Sequence, residues 1–342
     1  MPVWCKHEDG ADWIHVVAAA VFDTRGRVLI ARRPEHKAHG GLWEFPGGKR
    51  EPGESPGAAL KRELCEELGI EPRAGHRLIR IRHRYDRVAV VLDVWSVHEF
   101  SGTPTAREGQ SLAWTTPSAL SRFEFPAAND PIVSALALPQ VVLVTPEIAG
   151  TADPLLDLIA ERAAAGVGCV QLRPDPVTRR HDPQVAARVR EICQESGARF
   201  FVNGTIGEAL TLGAEGVHLS ERRLRSMPAG QWPEGLCVGA SCHSPMALEH
   251  AARLGLDYAT LAPVKPTASH PGRAHLGWHR VLAWTRRARL PVYALGGLGP
   301  GDLGRAVLAG CQGIAMIRGA LKDDALGERL ASEQDRLRAL KL

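Results

Sequence analysis

Apolar positions along the chain follow two rhythms, and the change between them falls at Pro139-Gln140. Before it, strand-like runs surround one strong helical stripe. Residues 15–22 (HVVAAAVF) read as a strand closed by the turn Asp23-Thr24-Arg25-Gly26, and residues 28–31 as its return, ending in Arg32-Arg33. Residues 42–48 (LWEFPGG) lead into the helical stretch. There Leu60, Leu64 and Leu68 recur every four residues, which makes a buried stripe. Ser55 before Pro56 supplies a helix start, and Gly69 a stop. Residues 76–87 then alternate, with Leu78, Arg80, Arg82 and Arg84 on one face and Ile79, Ile81, His83 and Tyr85 on the other. A basic strand face suits solvent or a triphosphate. Residues 88–97 and 112–115 are further strands, and a last helix starts within residues 125–131 and ends near Leu138.

Beyond the junction, short apolar strands alternate with amphipathic helices. The strands fall at residues 141–145, 169–173, 199–203, 216–219, 237–241, 258–264, 292–296 and 313–317. Four of them follow a glycine at a helix end: Gly166, Gly213, Gly255 and Gly310. Eight strand–helix units in about 200 residues match a small (β/α)8 barrel, whose ligands sit at the C-terminal ends of the strands. Those ends carry Arg173, Asn203, His218, Ser241-Cys242-His243, residues 263–270, Gly296-Gly297 and Arg318-Gly319. Backbone N–H groups after strands seven and eight of such barrels commonly hold phosphate.

Composition narrows the chemistry. A length of 342 residues accommodates two ordinary cores. The formal net charge of +4 admits small anionic ligands without indicating a nucleic-acid binder. Seven scattered cysteines, an odd number with no C-x-x-C pair, point to reduced thiols and a cytoplasmic setting. No apolar signal region opens the sequence, and no run approaches the length of a membrane span.

The densest chemistry lies in residues 48–70, GKREPGESPGAALKRELCEELGI. Glu63, Glu66 and Glu67 stand at i, i+3 and i+4 on one helix face, a spacing that destabilises a bare helix. The crowding makes sense around a hard divalent cation, and Mg2+ favours carboxylate oxygens together with phosphate. The stretch also resembles, position by position, the Nudix box: Gly48, Glu54, Arg62, Glu63, Leu64, Glu66, Glu67, Gly69 and Ile70 fill that pattern without a gap. Over residues 13–138 the chain is similar to the MutT type of Nudix hydrolase, which removes oxidised guanine nucleotides. That resemblance implies Mg2+, with Mn2+ as a substitute, held by Glu63, Glu66, Glu67, Glu108 and the Gly47 carbonyl. It implies that Arg62 braces the carboxylates and that Glu63 accepts the proton of the attacking water. It implies base recognition by Arg33 and by Asn129 in the F-P-x-A-N segment, with Glu44, Phe45 and Gly48 on the substrate side. From the residues alone, Asn129 before Asp-Pro reads equally well as a helix cap.

In the second half, QLR, FVN, GVHL, GASCH, APVKPT and ALGG stand in the order found in thiamine phosphate synthase and its TenI relatives, over residues 141–322. The departures fall on the charged groups. Gly204 and Arg223 stand where the synthase has its two Mg2+-holding aspartates, and Asp175 and His270 where it has lysines. That resemblance therefore implies a phosphorylated small molecule bound near Arg173, Asn203, His218, Ser241, His243, Gly296 and Gly297, without diphosphate transfer. A TenI-like tautomerisation needs only an acid/base group, for which His243 is the candidate.

The expected architecture is an α/β Nudix domain over residues 1–138, a mixed sheet sandwiched by helices, followed by a (β/α)8 barrel over residues 141–342. The expected reaction is hydrolysis of a nucleoside triphosphate, 8-oxo-dGTP giving 8-oxo-dGMP and diphosphate, in nucleotide-pool sanitation. The expected partners are that nucleotide and a barrel ligand, with no direct nucleic-acid binding and no membrane. The rivals are another nucleotide substrate, a thiamin-pathway enzyme with synthase or tautomerase activity, and a silent nucleotide or phosphate sensor.

Overall fold

The computed structural model describes residues 4–6, 12–35, 40–85, 88–146, 151–228, 232–267, 274–321 and 323–342. The chain forms two compact units, one of residues 1–137 with 335–342 and one of residues 138–334. His270 and the rest of residues 268–273 lie outside the described residues.

The first unit runs β1 (Trp4–Lys6), β2 (Asp12–Val21), β3 (Val28–Arg32), β4 (Trp43–Glu44), β5 (Gly47–Lys49), α1 (Pro56–Leu68), β6 (Glu71–Arg84), β7 (Ala89–Ser101), β8 (Ser111–Thr115) and α2 (Asp130–Ala137). Its main sheet is ordered β1-β2-β7-β6 with β5 paired to β2, and β4-β3-β8 form a second sheet. Strands β2 and β7 are parallel, while β6 and β5 add antiparallel. The period-two pattern of β2 explains the sandwich. Val17, Ala19 and Val21 point to one face and meet Leu60, Leu64 and Leu68 of α1. Ala18 and Ala20 point to the other, with Ile79, Ile81 and Val94, and meet Ile132 and Ala135 of α2. The capping signals act as expected: Ser55 accepts from the Ala58 N–H at 3.1 Å, and Gly69 ends α1 in the left-handed conformation.

The basic residues of β6 find partners on β7 and β2. Arg77 Nε lies 2.8 Å from Asp93 and Arg80 Nε 3.8 Å from it. Arg82 and Arg84 stack over Trp13 at 4.6 and 5.5 Å. The arginine face is thus a set of ion pairs and cation–π contacts on the sheet.

The second unit is a closed parallel barrel of β9 (Val141–Val144), β10 (Cys169–Leu172), β11 (Arg199–Asn203), β12 (Gly216–Leu219), β13 (Cys237–Cys242), β14 (Tyr258–Leu261), β15 (Val292–Leu295) and β16 (Gly313–Met316). Between and after them come α3 (Asp153–Ala164), α4 (Pro183–Ser196), α5 (Ile206–Leu212), α6 (Glu221–Ser226), α7 (Pro245–Arg253), α8 (Gly277–Thr285), α9 (Leu303–Leu308) and α10 (Leu326–Arg338). Phe201, Tyr258, Tyr293 and Cys169 fill the barrel interior. The interior is therefore packed, and function is confined to the loops at one end.

One assignment differs from the sequence expectation. Residues 335–342, counted there with the barrel, pack within the first unit. Gly75 N–H donates to the Leu340 carbonyl at 2.8 Å, and Lys341 pairs with Ala74 as an antiparallel bridge. Leu342 joins the cluster around Leu60 and Leu64, and Leu337 is buried. Nothing in the local pattern of this segment names β6 as its partner. The contact joins residues 75 and 340 of a 342-residue chain, so only the folded sheet edge selects it.

Two histidines lie in the same region of the first unit. His76 is buried, and His98 stacks between it and Phe22, with ring centroids 6.4 and 4.7 Å away. His98 Nε2 is 2.8 Å from the Ser96 hydroxyl. Burial pushes both imidazoles down to about 4, and the Arg338 charge adds to it. The unfolded chain takes up protons near pH 6.5 that the folded unit accepts only near pH 4. Stability of the first unit is therefore expected to be full above pH 6.5 and to fall as pH drops toward 4. The His76 share of that loss is on the order of 2–3 kcal/mol. Denaturant titrations at pH 7 and 4.5 check this, and His76→Phe should flatten the difference; an unchanged pH slope in that variant would refute it.

Candidate functional site

The site of the first unit is built where α1 crosses β5. With Leu60, Leu64 and Leu68 fully buried against the sheet, the adjoining face carries Glu63, Glu66 and Glu67 toward residues 47–49. Two glycines let them approach. A Cβ on Gly48 would lie 2.3 Å from Glu63 Oε2, and one on Gly47, at φ 145°, would lie 2.1 Å from the Val17 carbonyl oxygen. Gly47 N–H in turn donates to Glu67 Oε2 at 3.0 Å.

Arg62 answers the like-charge crowding. Its Nε and Nη2 donate to Glu54 at 3.1 and 3.0 Å, its Nη1 to Glu63 and Glu66 at 2.8 and 3.2 Å, and its Nη2 also to the Lys49 carbonyl at 3.0 Å. All five guanidinium N–H groups are thereby used. The hydrogen bonds from Arg62 hold the Glu54 carboxyl below its ordinary range. Burial pushes Glu63 up despite Arg62. Glu67 faces away from this cation. Burial, then the charges of Glu108, Glu44 and Glu63, raise it to about 7 against the hydrogen bond from Gly47.

A cavity of about 890 Å³ opens beside these groups. Its lining includes Gly47, Gly48, Glu67 and Glu108 together with Arg33, Glu44, Phe45 and Asn129. Arg33 and Glu44 form an ion pair. Phe45 is buried and stacks on Phe125, centroids 5.4 Å apart and 11° from parallel. Asn129 sits in a single 3-10 turn, Ala127–Asn129, directly before α2. Its backbone N–H donates to the Pro126 carbonyl, and among the described residues no hydrogen bond engages its side-chain amide. It is therefore not acting as a helix cap.

Of the five expected metal-site positions, Gly47, Glu67 and Glu108 meet at the cavity, while Glu63 and Glu66 are turned to Arg62. Among the described residues no three acidic, His or Cys side chains converge as ligands. The donor chemistry nonetheless fits Mg2+: hard oxygens only, and a carboxyl raised to about 7 by burial first and then by its neighbours' charges, the latter of which a cation would relieve. Of the alternating arginine strand, only Arg84 reaches the cavity, together with Tyr85. Tyr85 and Gln110 also line it and were not foreseen. Tyr85 closes the basic alternation and Gln110 the Glu-Gly-Gln loop, but neither type announces a role without the fold.

The expected barrel residues divide in two. His218 is inside: its Nε2 lies 2.8 Å from the Ser241 hydroxyl and its Nδ1 3.2 Å from the Tyr258 hydroxyl. Burial pushes it down to about 4, so it is neutral at pH 7. His243 is at the rim. Its Nδ1 lies 2.7 Å from the Ala262 carbonyl, which can only accept, so Nδ1 donates that bond. Nε2 faces Glu221 at 3.8 Å. Arg173 N–H donates to the Thr145 hydroxyl at 2.9 Å, and its side chain lines a second cavity, of about 420 Å³, with Arg180 and His181. Gly296 and Gly297 follow β15 with positive φ.

The position of the missing aspartates is filled. A Cβ on Gly204 would meet Glu208 Oε2 at 2.8 Å and His181 Nε2 at 3.5 Å, and Glu208 lies 4.0 Å from Arg223. Thr205 N–H and hydroxyl both donate to Glu208. His181 donates from Nε2 to the Asn203 carbonyl at 3.2 Å. Glu208 is thus held by Thr205 and faces the Arg223 guanidinium, with the His181 ring beside it, and these residues do not fit a divalent cation. Asp175 is likewise engaged, accepting from the Val177 and Thr178 N–H groups.

Comparison with known proteins agrees with both halves. A family model described as thiamine monophosphate synthase matches residues 141–320, and one described as NUDIX domain matches residues 17–135. The putative thiamine-phosphate synthase of Geobacter sulfurreducens is 34% identical over 180 residues, 51% of this chain and 83% of that protein. The CTP pyrophosphohydrolase of Escherichia coli is 40% identical over 119 residues, 35% of this chain and 88% of that protein. The thiamine-phosphate synthase of Thermus thermophilus is 33% identical over 185 residues, 53% of this chain and 87% of that protein. With the Nudix box folded against its cavity and the eight-stranded barrel beside it in sequence, the chain belongs to the Nudix hydrolases through its first unit and to the thiamine monophosphate synthase family through its second.

Proposed function

We propose that the first unit is a Mg2+-dependent nucleoside triphosphate diphosphohydrolase acting on 8-oxo-dGTP, releasing 8-oxo-dGMP and diphosphate. The observation that carries this is one cavity lined both by the carboxylates Glu67 and Glu108 and by Asn129, whose amide no hydrogen bond engages among the described residues. Glu63, Glu66, Glu67, Glu108 and the Gly47 carbonyl would hold Mg2+, which when bound acidifies water and neutralises phosphate charge. Arg62 keeps Glu63 and Glu66 oriented, and a box carboxylate accepts the proton of the attacking water. An amide offers both a donor and an acceptor, which suits the edge of an oxidised purine. Phe45, backed by Phe125, supplies an apolar wall for the base.

The likeness to a CTP pyrophosphohydrolase favours a second substrate, CTP, in the same cavity. The chemistry at the phosphates is the same, and the base end decides between them.

For the barrel we propose binding of a phosphorylated small molecule at the strand ends without diphosphate transfer. The Glu208–Arg223 pair and His181 stand where a metal-dependent transferase needs free carboxylates. The rim position of His243, with Nδ1 tied to the Ala262 carbonyl, supports an acid/base step of the tautomerase kind.

Four outcomes are expected. Diphosphate release measured over a nucleotide panel with Mg2+ should give the highest kcat/KM with 8-oxo-dGTP; a maximum at CTP would install the second reading. Glu67→Gln should leave the fold intact and lower kcat about 100-fold or more, since it removes a ligand and not a core contact; near-parent turnover would remove Glu67 from the site. Asn129→Ala should cost about 1–3 kcal/mol in kcat/KM for 8-oxo-dGTP and less for dGTP. Equal losses would deny it a base-reading role. For the barrel, the full chain with thiazole phosphate, pyrimidine diphosphate and Mg2+ should form no thiamine phosphate, and Mg2+-dependent product would overturn this assignment.

A further inference from the structure

The C-terminal end of α1 presents unpaired carbonyls, and its last turn contains no basic residue. The loop before β8 supplies what is missing. Thr105 N–H donates to the Leu68 carbonyl at 3.0 Å, and Arg107 N–H to the Glu67 carbonyl at 3.0 Å. The Arg107 guanidinium donates from Nη1 to the Cys65 carbonyl at 3.0 Å, placing a cation at the negative end of the helix. It lies so close over Gly69 that a Cβ there would be 2.5 Å from Nη2. Gly69 thus serves two purposes, the left-handed turn and the passage of Arg107.

Gln110 completes the attachment. Its Nε2 donates to the Glu67 carbonyl at 3.1 Å, and its Oε1 accepts from the Glu108 N–H at 2.9 Å. Only one orientation of the amide satisfies both bonds. A single planar carboxamide therefore ties the backbone of Glu67 to that of Glu108, two acidic residues that line the cavity.

We propose that Gln110 is a positioning residue of the diphosphohydrolase site, setting the separation of Glu67 and Glu108 while Arg107 anchors their loop on α1. Its side chain also lines the cavity, but its hydrogen-bonding groups face the two backbones. The inference rests on the reading that the two carboxylates act together in hydrolysis. It predicts that a side chain of equal length without the two hydrogen bonds leaves the fold intact and lets Glu108 drift.

Gln110→Met in the full chain tests this, with Arg107→Ala as a second variant. In the metal-free protein, amide hydrogen exchange at Glu108 should be at least about tenfold faster in Gln110→Met, and at Arg107 and Glu108 in Arg107→Ala. Mn2+ affinity, followed by the loss of free-ion electron paramagnetic resonance signal, should weaken about 10–100-fold. With nucleotide, kcat should fall by a similar factor, with KM for the nucleotide within about twofold. Parent-like Mn2+ affinity and kcat in Gln110→Met would overturn the proposal even if exchange accelerates. A fall in nucleotide affinity with kcat unchanged would also overturn it, by making Gln110 a substrate contact. A parent protein inactive on every nucleotide would strike the reading of the site, and the exchange and Mn2+ measurements would still decide whether the clamp exists.

Discussion

Like-charge repulsion on one helix is the constraint from which the first unit follows. Glu63, Glu66 and Glu67 share a face of α1, and α1 cannot turn that face to open solvent without turning its leucine stripe out of the core. The fold resolves this by distributing counter-charge. Arg62, with all five donors engaged, holds Glu54, Glu63 and Glu66. Glu67, on the far side, receives only the Gly47 N–H and remains a carboxyl raised to about 7. Gly48 is a consequence of the same arrangement, because β5 passes within contact distance of the Glu63 carboxylate there, while Gly47 makes room for the Val17 backbone of β2. A site that is electrostatically incomplete on the cavity side is what a phosphate-bound cation would complete.

The barrel faces the corresponding problem with the opposite outcome. Its strand ends gather Arg173, Arg180, His181 and Arg223, and the carboxylates beside them are engaged: Glu208 is held by Thr205 and faces Arg223, and Asp175 and Asp182 accept backbone N–H groups. On the proposed reading, these groups favour an anion at the strand ends and not a divalent cation. His243 is held at the rim by the Ala262 carbonyl on Nδ1.

Much of this was legible along the chain. The leucine stripe, Ser55 and Gly69 define α1 because local spacing and capping chemistry are one-dimensional properties. The eight barrel strands were legible for the same reason: each is a short apolar run after a helix end, and closure into a barrel follows from their number. The box glutamates and Arg62 were legible as a pattern of fixed spacing.

Other features belong to the tertiary structure alone. The sequence left Asn129 between a helix cap and a base reader; the fold shows its amide unengaged at the cavity. It showed a basic strand but could not show that Arg77, Arg80, Arg82 and Arg84 would meet Asp93 and Trp13, partners on other strands. It did not indicate that residues 335–342 would pair with β6, or that Arg107 and Gln110 would cap a helix about 40 residues earlier. In each case the missing information is the partner. Periodicity and capping act between neighbours in sequence, whereas an ion pair, a strand edge or an unpaired carbonyl is satisfied by whichever group the fold brings within about 3 Å.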